Sequence, residues 1–234
     1  MGFFQDMKSV FTKKELVFLE SYKEVDGVFS FLFEKEKDLA WKAGQHALFT
    51  ITHRKVKNAT KPFSVASAPA ENVIKITTRI SENPSEFKKA MLELDKGMNI
   101  TMSGALGSFY LDDDSPSLLI AGGIGITPFR SMLKQLEAEG SSDGKQIKLL
   151  YLDRNNKHIY NAELDEIAKN TSITVTYLDS RDNLHKEMDD YTNHYKNETK
   201  YYIGPKSMVD SVSVYLKNKG IPKKNIRRDV LTGY

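Results

Sequence analysis

The 234-residue sequence contains no cysteine. That absence excludes disulfides, thiolate zinc sites, a thiolate nucleophile and a cysteine-ligated iron–sulfur cluster within this chain. It fits a reducing compartment, and a cytoplasmic location is expected. An excess of either charge is also missing, because 34 Lys and Arg stand against 31 Asp and Glu for a net charge of +3. So balanced a chain argues against nucleic acid as the main partner. No apolar run reaches the length of a membrane span, and Met1 to Phe11 lacks a signal-peptide core. Phe3, Phe4, Met7, Val10 and Phe11 form an apolar stripe at helical spacing, expected to pack as a terminal helix on its own domain. The five histidines show no metal-ligand spacing, so no metal site is expected.

What is present changes character midway. The first half reads as β-structure. Glu15 to Tyr22 and Val28 to Glu34 flank Asp26-Gly27, a strong hairpin signal. Further runs follow at Ala47 to Thr52, Phe63 to Ala66, Val73 to Ile80 and Met98 to Met102, as in an antiparallel barrel or sandwich. One helix interrupts them: Asn83-Pro84-Ser85-Glu86 reads as N-cap, N1, N2 and N3, with Phe87, Met91 and Leu94 on its apolar face. The second half alternates strand and helix. Strands are expected at Ser117 to Ala121, Ile147 to Leu152, Ile173 to Leu178, Tyr201 to Ile203 and Ile226 to Leu231. Helices are expected at Pro128 to Glu139, Ala162 to Lys169, Lys186 to Tyr195 and Pro205 to Lys219. That alternation predicts a parallel sheet covered on both faces. The boundary is placed in Asp112-Asp113-Asp114-Ser115-Pro116, giving domains over 1–113 and 114–234.

The first strand of the second half runs into Gly122-Gly123-Ile124-Gly125-Ile126-Thr127-Pro128. Glycines let a backbone turn tightly and approach a ligand, and the N–H groups of the following helix favour a diphosphate. A nucleotide site is therefore expected here. In the first half, Lys61-Pro62-Phe63-Ser64 combines a cation, an aromatic and a hydroxyl on one strand, and the helix capped at Asn83, with Ser85 at its mouth, offers a further anion site.

Together these segments resemble the ferredoxin–NADP reductase superfamily, from about Leu16 to the end. The resemblance rests on seven motifs in order, among them Gly44-Gln45-His46, Gly104-Ala105-Leu106-Gly107-Ser108-Phe109 and Gly204-Pro205-Lys206-Ser207-Met208. It implies a flavin-binding antiparallel β-barrel followed by a Rossmann-like five-stranded parallel sheet that binds NAD(P). It implies FAD rather than FMN, held by Lys61 on phosphate, Phe63 on the isoalloxazine ring and Ser64 near flavin N5. Pro62 completes that segment, Thr77, Thr78 and Arg79 line the flavin, and Ser85 binds phosphate. It places the nicotinamide nucleotide on Gly122, Gly123, Gly125, Thr127 and Pro128, and on Gly204, Pro205 and Met208. Tyr234 joins the cofactor-binding residues, and Asp229 serves as a proton relay. Two departures stand out: the family's clamp arginine is Lys61, a point charge, and its cysteine before Gly204 is Ile203.

The implied chemistry is hydride transfer from NAD(P)H to flavin, with alignment as the protein's task. Arg154, Ser180 and Arg181 follow strands where relatives read a 2′-phosphate, which tilts the expectation towards NADPH. The electron acceptor is expected to be separate: a ferredoxin, a flavodoxin, free flavin or a ferric chelate. Lys13, Lys14, Lys35, Lys37, Lys55 and Lys57 offer a docking face for a small acidic redox protein. A non-catalytic electron-transfer subunit of a larger complex stands as the alternative.

Overall fold

The computed structural model describes residues 13–140, 145–195 and 198–229. The N-terminal stripe, the end of the last expected strand and Tyr234 lie outside the described residues.

Six strands form the first sheet: β1 (Lys13–Val25), β2 (Val28–Glu34), β3 (His46–Ile51), β4 (Thr60–Ser64), β5 (Val73–Arg79) and β6 (Asn99–Leu106). Their order is β4-β3-β6-β1-β2-β5, with antiparallel pairing throughout. The β1–β2 register pairs Val25 with Val28, so the turn is the two residues Asp26-Gly27, with Gly27 at φ +73°. Beyond β4 the chain curls: Ala66 N donates to Lys75 O at 2.8 Å, which ties it to β5 and closes a barrel. Phe31, Phe33, Phe49 and Ile74 fill the interior.

Helix α1 (Glu86–Leu92) plugs this barrel with Phe87, Ala90 and Met91 buried. Its N-cap is Ser85, not Asn83. The Ser85 hydroxyl accepts from Lys88 N at 3.4 Å, so the expected frame shifts by two residues and Pro84 precedes the cap. The physical reason is that burial of Phe87 sets where the first turn begins, and either polar residue has capping chemistry.

The second sheet holds β7 (Ser117–Gly122), β8 (Ile147–Leu152), β9 (Thr174–Leu178), β10 (Lys200–Gly204) and β11 (Ile226–Arg228), all parallel in the order β11-β10-β7-β8-β9. Helices α2 (Thr127–Glu139), α3 (Asn161–Asn170), α4 (Arg181–Tyr195) and α5 (Lys206–Asn218) connect them. Gly140, at φ +60°, stops α2 as its glycine position predicts. The central strands are apolar on both faces because helices cover both sides. From β9 the chain crosses back to β10 beside β7, so the strand order reverses between β7 and β10, where ligands bind in open α/β sheets. Val28 of the barrel packs into the cluster around Ile124 and Phe129, joining the two sheets. Among the described residues no helix is long and apolar enough to cross a membrane.

Candidate functional site

The glycine turn leaves β7 at Gly122, passes through a 3-10 segment (Gly123–Ile126) and enters α2. Two of its glycines have a packing reason. A Cβ on Gly125 would lie 2.5 Å from Pro205 Cδ and 2.6 Å from Pro205 N, and one on Gly122 would lie 2.2 Å from Met208 Sδ. They let the turns after β7 and β10 press together. Gly123 differs: it sits at φ +50°, with Asp153 Oδ2 3.8 Å and Arg79 Nη2 3.9 Å from the place a Cβ would take. Both side chains are at ordinary contact distance, so the backbone strain of the left-handed turn, not a clash, is what favours glycine there.

Tyr151 holds that turn from behind. Its hydroxyl donates to Gly123 O at 3.1 Å and accepts from Ile159 N at 3.2 Å, and burial raises its pKa. At the start of α2, Thr127 is 1% exposed and its Oγ1 has no hydrogen-bond partner within the protein. The same atom is covered from solvent, so a ligand reaches it only if the turn opens.

A cleft of about 950 Å³ opens at the carboxyl ends of β7, β8 and β10. Gly122, Gly123 and Ile124 form one wall, Pro205 to Met208 another, and Arg79 reaches in from the end of β5. Arg79, Arg154, Arg181 and Lys206 outnumber Asp153 and Asp210 in the lining, so the cleft favours an anion. Asp153 also shapes its loop, accepting from Asn155 N at 2.9 Å. Sequence reasoning missed it, because a loop aspartate has no signature until the loop has closed.

The alternation of β5 explains the place of Arg79. Ile74 and Ile76 point into the barrel core, and Thr78 follows them. Lys75, Thr77 and Arg79 point the other way, towards the second sheet. Thr77, expected to line the flavin, has its hydroxyl engaged by Tyr160 OH and, at 2.6 Å, by Ser30 Oγ. The expectation is corrected: this side chain joins the two sheets.

Lys61 and Phe63 share one face of β4, opposite Phe49 and Ala47. Phe63 is 4% exposed and stacks on Phe87 at 5.5 Å, so its ring is core and presents no free face to a flavin. The sequence could not distinguish these roles, since an aromatic on a strand suits both. Pro62 and Ser64 take the opposite face, and Ser64 is buried. None of residues 61–64 lines the cleft. Stacking on Phe87 does bring the Lys61 face to the first turn of α1, which exposed Ser85 caps. Lys88 of that helix donates from Nζ to Arg79 O at 2.7 Å, and burial followed by the Arg79 charge lowers its pKa. Lys88 and Arg79 are thus neighbours beside the start of α1.

Of the remaining expected residues, Arg154 and Arg181 line the cleft, while Pro128 is buried in α2. Ser180 accepts from Asn183 N at 3.3 Å and caps α4, so it is not in the lining. Asp229 is 4% exposed, its N–H donates to Ile203 O at 2.9 Å, and its Cβ lies 3.4 Å from where a Cβ on Gly204 would be. It is a buried neighbour of the β10 turn, not a surface residue.

Comparison with known proteins bears on the fold and on the second domain. Residues 119–213 match the oxidoreductase NAD-binding domain. The chain is 28% identical over 204 residues to one subunit of the Na(+)-translocating NADH-quinone reductase of Neisseria gonorrhoeae, covering 74% of this chain and 49% of that protein. It spans about half the length of the curated relatives first matched. Its fold is similar to the ferredoxin–NADP+ reductase of Plasmodium falciparum, with a TM-score of 0.79 at 20% identity over 95% of this chain and 98% of that one. A ferredoxin NADP+ reductase from Neisseria gonorrhoeae, solved with FAD and NADP bound, superposes with a TM-score of 0.75 at 17% identity over 93% and 98%.

Proposed function

We propose that this chain, whose fold is similar to that of ferredoxin–NADP+ reductases and whose residues 119–213 match the oxidoreductase NAD-binding domain, is an NAD(P)H-dependent flavoprotein reductase that passes electrons to a separate acceptor. The observation that carries this reading is the cationic cleft in which Arg79 of the barrel meets the Gly123 backbone of the parallel sheet. Flavin and nicotinamide, when bound, supply the hydride chemistry between them. The chain's own residues bind, align and exclude water.

Residues 1–113 are read as the flavin domain and 114–234 as the nucleotide domain. Lys61, Ser85 and Arg79 hold the flavin diphosphate, which favours FAD over FMN, and Ser64 stays near the reacting edge. Gly123 and Thr127 receive the nicotinamide nucleotide, with Gly122, Gly125, Pro205 and Met208 shaping the wall. Arg154 and Arg181 at the cleft rim suit a 2′-phosphate, which favours NADPH. Asp229, buried beside Gly204, is read as the proton relay. The acceptor is a ferredoxin, flavodoxin, free flavin or ferric chelate, and the reaction is placed in the cytoplasm.

Anaerobic titration of the purified protein, reconstituted with FAD or FMN, tests this. Bleaching of flavin absorbance by NADPH, with reduction of an artificial acceptor, is expected. A protein that neither retains nor processes flavin refutes the reading. A yellow protein inert to both nicotinamides supports a non-catalytic electron-transfer subunit.

A further inference from the structure

Arg130 lies in α2, three positions past Thr127, and is 2% exposed. Its guanidinium is fully used. Nε and Nη2 donate to the two Glu163 oxygens at 2.8 and 2.6 Å. Nη1 and Nη2 donate to the two Glu71 oxygens, each at 2.8 Å, and Nη1 also donates to Ala66 O at 2.8 Å. Glu163 belongs to α3, within the same α/β unit as Arg130. Glu71 and Ala66 belong to the barrel, on the loop that continues directly from Lys61–Ser64. Glu71 is itself braced, accepting from Ala68 N at 2.6 Å. Two further bonds fasten the same loop to α2: Ser131 Oγ donates to Ser67 O at 2.7 Å, and Ala70 N donates to Gln135 Oε1 at 3.0 Å.

One helix therefore begins at the glycine turn and, one turn later, clamps the loop leaving the proposed flavin strand. We propose that Arg130, acting through Glu71, is the positioning residue that sets the distance between the two halves of the cleft. The inference rests on the reductase reading. Its physical basis is that hydride transfer needs reacting atoms about 3–3.5 Å apart, so that a displacement of about 1 Å costs on the order of 100-fold in rate. A buried, doubly bidentate arginine is a stiff tie, since each planar fork fixes direction as well as distance.

The two carboxylates separate positioning from mere stability. Glu71→Gln removes a bidentate partner across the two units, while Glu163→Gln removes one within a unit. In FAD-reconstituted protein followed by anaerobic single turnover, Glu71→Gln is expected to slow flavin reduction about tenfold or more, with nucleotide Kd changed less than about twofold. Glu163→Gln is expected to change the rate less than about threefold. A second readout needs no nucleotide. Trp41 is the sole tryptophan and its Nε1 donates to Ser67 O at 3.2 Å, so its emission reports on the clamped loop. It should shift in Glu71→Gln and not in Glu163→Gln. If Glu71→Gln fails to fold, Glu71→Asp, which keeps the charge and shortens the reach, should show the same selective slowing. Equal slowing by both Gln variants, or an unchanged rate and emission in Glu71→Gln, overturns the proposal. If the wild type reduces no flavin, the reductase reading fails, and the Trp41 comparison still decides whether Glu71 fixes the loop.

Discussion

Replacing Gly125 with alanine should destabilise the protein through one contact. The new Cβ would stand 2.5 Å from Pro205 Cδ, 2.6 Å from Pro205 N and 2.9 Å from Pro205 Cβ. Carbon atoms settle at about 3.5–4.0 Å, so the shortfall is about 1 Å. Neither a proline ring nor a backbone nitrogen can swing aside, and the two turns must separate. Overpacking of this kind costs about 1–3 kcal/mol. Lower unfolded-state entropy in alanine returns about 0.4–1 kcal/mol. The net is centred on about 1.3 kcal/mol, which corresponds to a fall in Tm of about 3–5 °C for a chain of this size. Gly122→Ala meets Met208 Sδ at 2.2 Å, but that is the far end of a flexible side chain, so its loss should be smaller. Gly140→Ala has open space around it and only its φ of +60° to resist, so about 1 kcal/mol is expected. Thermal melts by circular dichroism on the three variants test the ranking. A Gly125→Ala protein as stable as wild type, or more stable than Gly122→Ala, would refute the packing account of these glycines.

Other consequences follow from named contacts. Phe63→Ala should cost about 3–5 kcal/mol in denaturant unfolding, because the ring is core; a loss under about 1 kcal/mol would return Phe63 to the role of an exposed flavin platform. Tyr151→Phe leaves Gly123 O and Ile159 N without their shared partner, so about 1–3 kcal/mol of stability and some nucleotide affinity should go, read by melts and titration. Burial opposes ionisation of Glu71, but the Arg130 hydrogen bond and charge outweigh it and hold its pKa below the ordinary 4.5. Its contribution is therefore complete above that value and lost as pH falls through the lower folded pKa. Unfolding curves between about pH 5 and pH 3 should steepen with acid in wild type and flatten in Glu71→Gln. Arg181→Gln removes a rim cation and should raise KM for NADPH about tenfold more than KM for NADH; equal effects would end its 2′-phosphate role.

Part of the fold is legible in the sequence because the forces are local. Asp26-Gly27 marks a two-residue hairpin whatever follows, since few residue pairs accept that backbone. Ile147 to Leu152 is a strand by composition and length, and Gly140 ends its helix by left-handed freedom. The frame of α1 is ambiguous in sequence because Asn83 and Ser85 both have capping chemistry, and burial of Phe87 decides between them. Phe63 and Thr77 suit a ligand-facing role in sequence because an aromatic and a hydroxyl carry no mark of which face they will take. Arg130 carries no signal at all: between Phe129 and Ser131 it looks like an ordinary helix residue.

Residue order by itself determined the strands, helices, turns and the switch from antiparallel to parallel grammar, because periodicity and turn chemistry act over a few neighbours. Only the tertiary structure decided that Gly125 meets Pro205, that Arg79 meets the Gly123 turn and that Arg130 closes on Glu71. Those pairings join segments distant along the chain, and where the chain returns is set by strand order and by packing of the two cores, which no short window of sequence contains.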